Sequence, residues 1–214
     1  MSPVVNAFLL IYAGLFPVVN PVGGAPLFLG ATRRFTDAER HVLARWVAIN
    51  SLALLLGSLF FGAAVLEFFG ITLPVVRIAG GLVVSAFGWT LLQGGGHVDG
   101  GKAATSGVSN PDAFYPLTMP LTVGPGSISV AITLGSQRPH GPHYLGALLL
   151  PALGAVAGLI AISVTIFACY RSAERIGRVL GERGTTVLTQ LSAFIMLCIG
   201  IQILWDGVSQ LIHP

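Results

Sequence analysis

The chain of 214 residues is short of charge: Lys, Arg, Asp and Glu together make up 9% of it, where a soluble domain carries about 25%. Eleven basic and eight acidic side chains cannot cover the water-facing surface of a protein this long. That shortage excludes a soluble enzyme, a nucleic-acid binder and a disordered chain together. Cysteine is almost absent, and Cys169 and Cys198 fall in or at the end of apolar runs. Neither has a metal or redox spacing, so both read as packing residues. Alternating polar and apolar stretches are missing too. Runs such as LALLLGSLFFGAAVL (52–66) show no period of two, which argues against the strands of a membrane barrel. What remains is apolar: 54% of residues and a mean hydropathy of +0.83. The composition is that of an all-α polytopic membrane protein.

A bilayer core of roughly 30 Å needs about 20 apolar residues per helix. Uncharged windows of that length run over 1–32, 46–66, 78–98, 113–137, 144–170 and 184–205. Six transmembrane helices with short loops are therefore expected, since backbone in lipid must satisfy its own hydrogen bonds. MSPVVNAFLL at the start has no cationic leader region and no small-residue cleavage site, so a retained first span is expected. Arg33, Arg34, Arg40, Arg45, Lys102, Arg171, Arg175, Arg178 and Arg183 would lie on one side, against Arg77 and Arg138 on the other. Nine cations against two place that first set in the cytoplasm and both termini outside.

The sequence also repeats itself. Phe16, Pro17, Pro21 and Pro26 in the first window are matched by Tyr115, Pro116, Pro120 and Pro125 in the fourth, each 99 positions on. The third and sixth windows align more weakly at an offset of 112: Gly80 and Gly81 on Ser192 and Ala193, Ala86 on Cys198, Gly88 on Gly200, Leu92 on Leu204. Two halves of three spans each, 1–92 and 113–214, must insert upside down relative to one another, which is an inverted three-plus-three transporter design. The glycine- and serine-rich stretch 93–112 reads as their cytoplasmic linker.

Three prolines within ten residues would wreck a continuous helix, at about 3 kcal/mol or more each in a helix interior. The first and fourth spans are therefore expected to break near mid-membrane, the alternative being packed helices that are merely kinked. Asn20-Pro21 reads as an N-cap followed by proline at the first helical position. Gly124-Pro125-Gly126-Ser127 can do the same. Amides freed at half-helix N-termini attract anions, and glycines let a solute approach the backbone. The candidate substrate site is Asn20, Pro21, Gly23, Gly24, Pro26, Thr122, Gly124, Pro125, Gly126 and Ser127, with Thr118 and Ser129 as further neutral hydrogen-bonding groups.

Other features weigh less. Gly96-His97-Val98-Asp99-Gly100-Gly101-Lys102 has phosphate-loop spacing, but Ala103 stands where a Ser or Thr should bind Mg²⁺. His41, His97, His140, His143 and His213 lie in loops or at the terminus, where a solvated turn is the better reading than a metal site. No intramembrane His or Asp could activate Ser127, so no enzymatic activity, cofactor or metal is expected. Glu67, Arg77 and Asp206 fall near the outer ends of spans; they could mark an ion pathway, an outer gate or interfacial anchors. Gly154 and Gly158 could pack on a partner chain in a homo-oligomer or on another helix of the same chain.

LFPVVNPVGGAPLFL (15–29), FFGITLPVVRIAGGLVV (68–84) and PLTMPLTVGPGSIS (116–129) resemble the MarC-related membrane proteins over essentially the whole chain. That group is also classed as a neutral amino-acid transporter family within a LysE-type exporter superfamily. The resemblance implies six spans, an external N-terminus, a bacterial inner membrane and transport of small neutral amino acids such as alanine and glycine. Met119 before the middle proline, and a linker richer in glycine than in charge, depart from the expected pattern. The expected function is alternating-access transport of such a solute across the bilayer; the alternatives are a small-solute channel and a non-transporting assembly or regulatory protein.

Overall fold

The computed structural model describes residues 2–93, 112–136 and 145–212. Nearly all of the 93–112 linker, its phosphate-loop-like stretch, Lys102, Arg138, His97, His140, His143 and His213 lie outside the described residues. Every regular element described is helical. Helix α1 (Pro3–Val19) is capped by Ser2 and followed, after Asn20, by α2 (Pro21–Ala31) at an angle of 40°. Helix α3 (Asp37–Phe68) opens on a capping box in which Thr36 and Glu39 satisfy each other's amides. Helix α4 (Leu73–Gln93) follows the turn at Gly70. A six-residue π-helical turn (Leu117–Thr122) leads into α5 (Pro125–Ser136), then α6 (Leu145–Arg171) and α7 (Ala173–Ile212), the last interrupted at Gly181 (φ 64°).

Four helices are long and apolar enough to cross a membrane, and the bent α1–α2 pair makes a fifth candidate span. The fourth apolar window differs from its sequence reading. Only its second half is a regular helix, of 12 residues; the first half is the π-helical turn, with extended dihedrals at Met119 and cis bonds before Pro116 and Pro120. The prolines also divide their work differently from expectation. Pro21 and Pro125 start half-helices, whereas Pro17 and Pro26 lie inside α1 and α2 without breaking them.

Lipid is as apolar as leucine, so these helices cannot be held by apolar burial alone and must pack closely. Phe61, Phe68, Trp89, Val164 and Trp205 point outward, while small residues line the seams. A Cβ on Gly81 would lie 2.5 Å from the Leu204 amide nitrogen and 2.7 Å from the Gly200 carbonyl oxygen. One on Gly88 would meet the Leu197 nitrogen and the Ala193 oxygen at 2.8 and 2.9 Å, and one on Gly200 the Ser85 nitrogen at 2.6 Å. Helices α4 and α7 thus touch backbone to backbone. Gly154 and Gly158 of α6 face Val4, Ala7, Phe8 and Ile11 of α1, so of the two readings of that pair the contact within the chain is the observed one.

Arg40, Arg171 and Arg178 come together where α2, α3, α6 and α7 meet. Arg40 Nε donates to the carbonyl of Thr32, which closes α2, at 3.2 Å; its Nη1 reaches Asp37 at 3.1 Å and Glu174 of α7 at 3.8 Å. Both carboxylates are well exposed, so these ion pairs contribute little. Thermal unfolding in detergent should therefore show Glu174→Ala within about 0.5 kcal/mol of wild type. Arg40→Ala, which frees the end of α2, should cost about 1–2 kcal/mol.

Candidate functional site

The two breaks meet. Asn20 takes the left-handed conformation (φ 46°, ψ 59°). Its amide donates to the Phe16 carbonyl at 2.9 Å, ending α1, while its Oδ1 accepts from Gly23 N at 3.1 Å, starting α2. At the other break Gly124 precedes Pro125, and the Ile128 amide closes the first turn on the Gly124 carbonyl at 3.1 Å. Between the breaks lies a cavity of about 80 Å³, room for several water-sized groups and so for a solute of a few heavy atoms.

Eight of the ten residues expected from sequence line this cavity: Asn20, Gly23, Gly24, Thr122, Gly124, Pro125, Gly126 and Ser127. Pro21 and Pro26 do not; Pro21 is buried and Pro26 half-buried behind them. Thr118 and Ser129 are committed elsewhere, donating to the carbonyls of Ala113 at 2.7 Å and Val76 at 3.0 Å. Glu67, Arg77 and Asp206 are not in the cavity wall, and among the described residues no ion pair joins them. Arg77 Nε donates to Thr133 Oγ1 at 3.4 Å, and Asp206 accepts from Gln202 Nε2 at 2.8 Å.

The opposite wall comes from α4 and α7, including Val84, Phe87, Thr189, Ser192 and Met196. Thr189, Ser192 and Met196 follow one another at helical spacing on α7. Two hydroxyl residues on one face of an apolar span are the signal in the sequence that points to this wall.

Tyr170 was missed altogether. Its ring stacks on Phe28 of α2 with centroids 4.6 Å apart, and its hydroxyl lies 2.9 Å from Thr122 Oγ1. The Thr122 hydroxyl already donates to the Leu117 carbonyl at 2.7 Å. It has a single proton, so Tyr170 is the donor between them. A Cβ on Gly24 would lie 2.6 Å from the same phenol oxygen. One phenol thus holds α2 and the π-helical turn against α6, behind the cavity.

The wall is largely apolar, with four hydroxyls, one carboxamide and backbone groups set into it, and none of its residues is ionisable. Ser127 (3% exposed) and Ser192 (8%) are buried, and neither hydroxyl has a hydrogen-bond partner among the described residues. Transfer of a polar group into such surroundings is costly unless a partner meets it. This cavity holds partners ready for a small polar guest and no counter-charge for a net-charged one.

A helical bundle with an apolar exterior, small-residue seams and a cavity where two broken helices meet is an integral membrane protein. Residues 5–212 match the family of MarC integral membrane proteins, and the chain belongs to that family. It is 32% identical over 206 residues to the inner membrane protein MarC of Citrobacter koseri. It is 30% identical over 205 residues to those of Salmonella typhimurium and Escherichia coli O1:K1. Each alignment covers 92% of both chains. No solved structure matches.

Proposed function

We propose that the chain is an inner-membrane transporter that moves small neutral amino acids, of alanine or glycine size, by alternating access, and that it catalyses no chemical reaction. The observation that carries this reading is the charge-free cavity, apolar with a few hydroxyls and a carboxamide, where two broken helices meet. A guest bearing net charge would be buried there without a counter-ion, at a cost of several kcal/mol, whereas a compact zwitterion brings its own balance of charge. The relatives' names place them in inner membranes, and the same location is proposed here, with the arginine-rich end in the cytoplasm and both termini outside.

The proposal includes six crossings arranged as an inverted pair of three. The α4–α7 seam supports it. Adding 112 to a residue of α4 and subtracting 112 from one of α7 turns the Gly81–Gly200 contact into Ala193–Gly88, and Gly88–Leu197 into Gly200–Ser85; both products are contacts of the structure. Each half brings one broken segment to the cavity: α1–α2 from the first, the π-helical turn with α5 from the second. Two such halves rocking against one another would expose the cavity to each side in turn.

Uptake of labelled alanine and glycine into proteoliposomes tests the reading. Wild type should show saturable, stereoselective counterflow, while Asn20→Leu/Gly124→Val, which puts bulk on both breaks, should lose at least about tenfold in rate. Equal flux in the two would sink the site. Flux that stays proportional to concentration would instead mean a channel, and none at all a non-transporting protein.

A further inference from the structure

The two half-helices that reach the cavity look alike in sequence, yet their N-termini are in different chemical states. Helix α2 is capped by its own neighbour: Asn20 Oδ1 takes the Gly23 amide at 3.1 Å, and Pro21 has no amide to offer. Helix α5 has no such cap. Gly124, at its N-cap position, has no side chain, and Pro125 has no amide. The next two amides, of Gly126 and Ser127, belong to the first turn, which no helix satisfies internally. Both residues line the cavity. A second observation, independent of the helix end, points the same way: the Ser127 hydroxyl is buried at 3% exposure, lines the cavity and has no partner among the described residues. Across from it, Ser192 repeats that condition at 8% exposure.

Asn20 adds to the contrast. With Oδ1 taken by Gly23, the orientation of its amide is set, and Nδ2 is left with two protons to donate. The groups left without partners around the guest are therefore mostly donors: two first-turn amides, two hydroxyls and a carboxamide NH₂. Acceptors are hydroxyl lone pairs, the Pro120 carbonyl of the π-helical turn and the closing turn of α1. There Val18 and Val19 line the cavity, and Pro21 supplies no amide for the carbonyl four residues back.

From this inventory we infer that the cavity recognises its guest by a carboxylate seated on Gly126, Ser127 and the α5 N-terminus, while the α2 terminus is a self-capped structural end that binds no anion. An ammonium group on the guest faces the carbonyl end of α1 and contributes less. The inference rests on the proposed solute site but not on amino acids being the cargo: a small carboxylic acid with no amino group satisfies the same donors.

Thermal unfolding of the purified full chain in detergent, titrated with L-alanine, L-alaninamide and propionate, separates these ideas. Alanine should raise the melting temperature, propionate should raise it at higher concentrations because it brings no ammonium to balance its charge, and alaninamide should leave it unmoved. Ser127→Ala should raise the half-saturating concentration of both carboxylates by about tenfold or more, since a hydrogen bond to a charged group is lost. Ser163→Ala removes a buried, unpartnered hydroxyl away from the cavity and should leave both concentrations unchanged. Asn20→Ala should lower the melting temperature without ligand, yet keep the contrast between propionate and alaninamide. Alaninamide binding as well as alanine, or Ser127→Ala binding carboxylates like wild type, overturns the inference. Propionate binding with no response to alanine upholds the carboxylate seat and removes the amino-acid reading; no response to either carboxylate removes both.

Discussion

Gly81→Val is expected to destabilise the protein severely. Its new Cβ would fall 2.5–2.9 Å from the Leu204 nitrogen, the Gly200 oxygen and the Leu204 Cα, all backbone atoms of α7 that cannot rotate away. Helices α4 and α7 would have to separate, and with them the cavity wall that carries Val84 on one side and Ser192 on the other. Overpacking of this kind costs at least about 3 kcal/mol. The check is the melting temperature of the purified variant in detergent, which should drop on the order of 10 °C, together with loss of a monodisperse elution profile. Gly57→Val gives the contrast. A Cβ there meets nothing within 4 Å, so the variant should stay within about 1 kcal/mol of wild type. Should both variants behave alike, the seam is not what holds these helices.

Asn20→Ala should have a smaller effect on stability, about 2 kcal/mol, from two separable sources. The side chain caps α2 through Gly23, a contribution of about 1 kcal/mol against alanine. The backbone is left-handed at φ 46°, which costs an alanine about another 1–2 kcal/mol. Asn20→Gly loses the cap but accepts the dihedrals, and a glycine N-cap costs only a few tenths of a kcal/mol; its melting temperature should stay near wild type. Alanine and glycine variants of equal stability would show that the left-handed turn at Asn20 plays no part in holding α1 and α2 at their angle.

Much of this was legible in the residues. Long apolar windows announced the helices, because the bilayer sets their length. Asn20-Pro21 and Gly124-Pro125 announced the breaks, because an N-cap side chain or a glycine before a first-position proline is a local signal. What could not be read was which prolines would be tolerated. Pro17 and Pro26 sit within helices, where neighbouring segments decide whether a lost amide matters. The first half of the fourth window looked like a helix by hydropathy, which counts apolar residues and does not see dihedrals; Met119 with φ −114° and ψ 123° is invisible to it. Tyr170 and Ser192 belong to the cavity region only through contacts with residues far off in the chain, such as Thr122 and Gly23, and no local pattern encodes those. Glu67, Arg77 and Asp206 share a position along the membrane normal in the sequence reading, but a shared depth does not bring side chains around a bundle into contact.

The first half turns its corner at a single residue, Asn20, between two ordinary helices, whereas the second uses the irregular stretch from Pro116 to Gly124. A carrier of two identical halves would have inward and outward forms of equal energy by symmetry. Here one break is a single residue and the other a stretch of several, so under the alternating access proposed above that degeneracy would be lifted. An empty carrier built this way would rest mostly on one side, and exchange of one solute for another would run faster than the return trip without cargo.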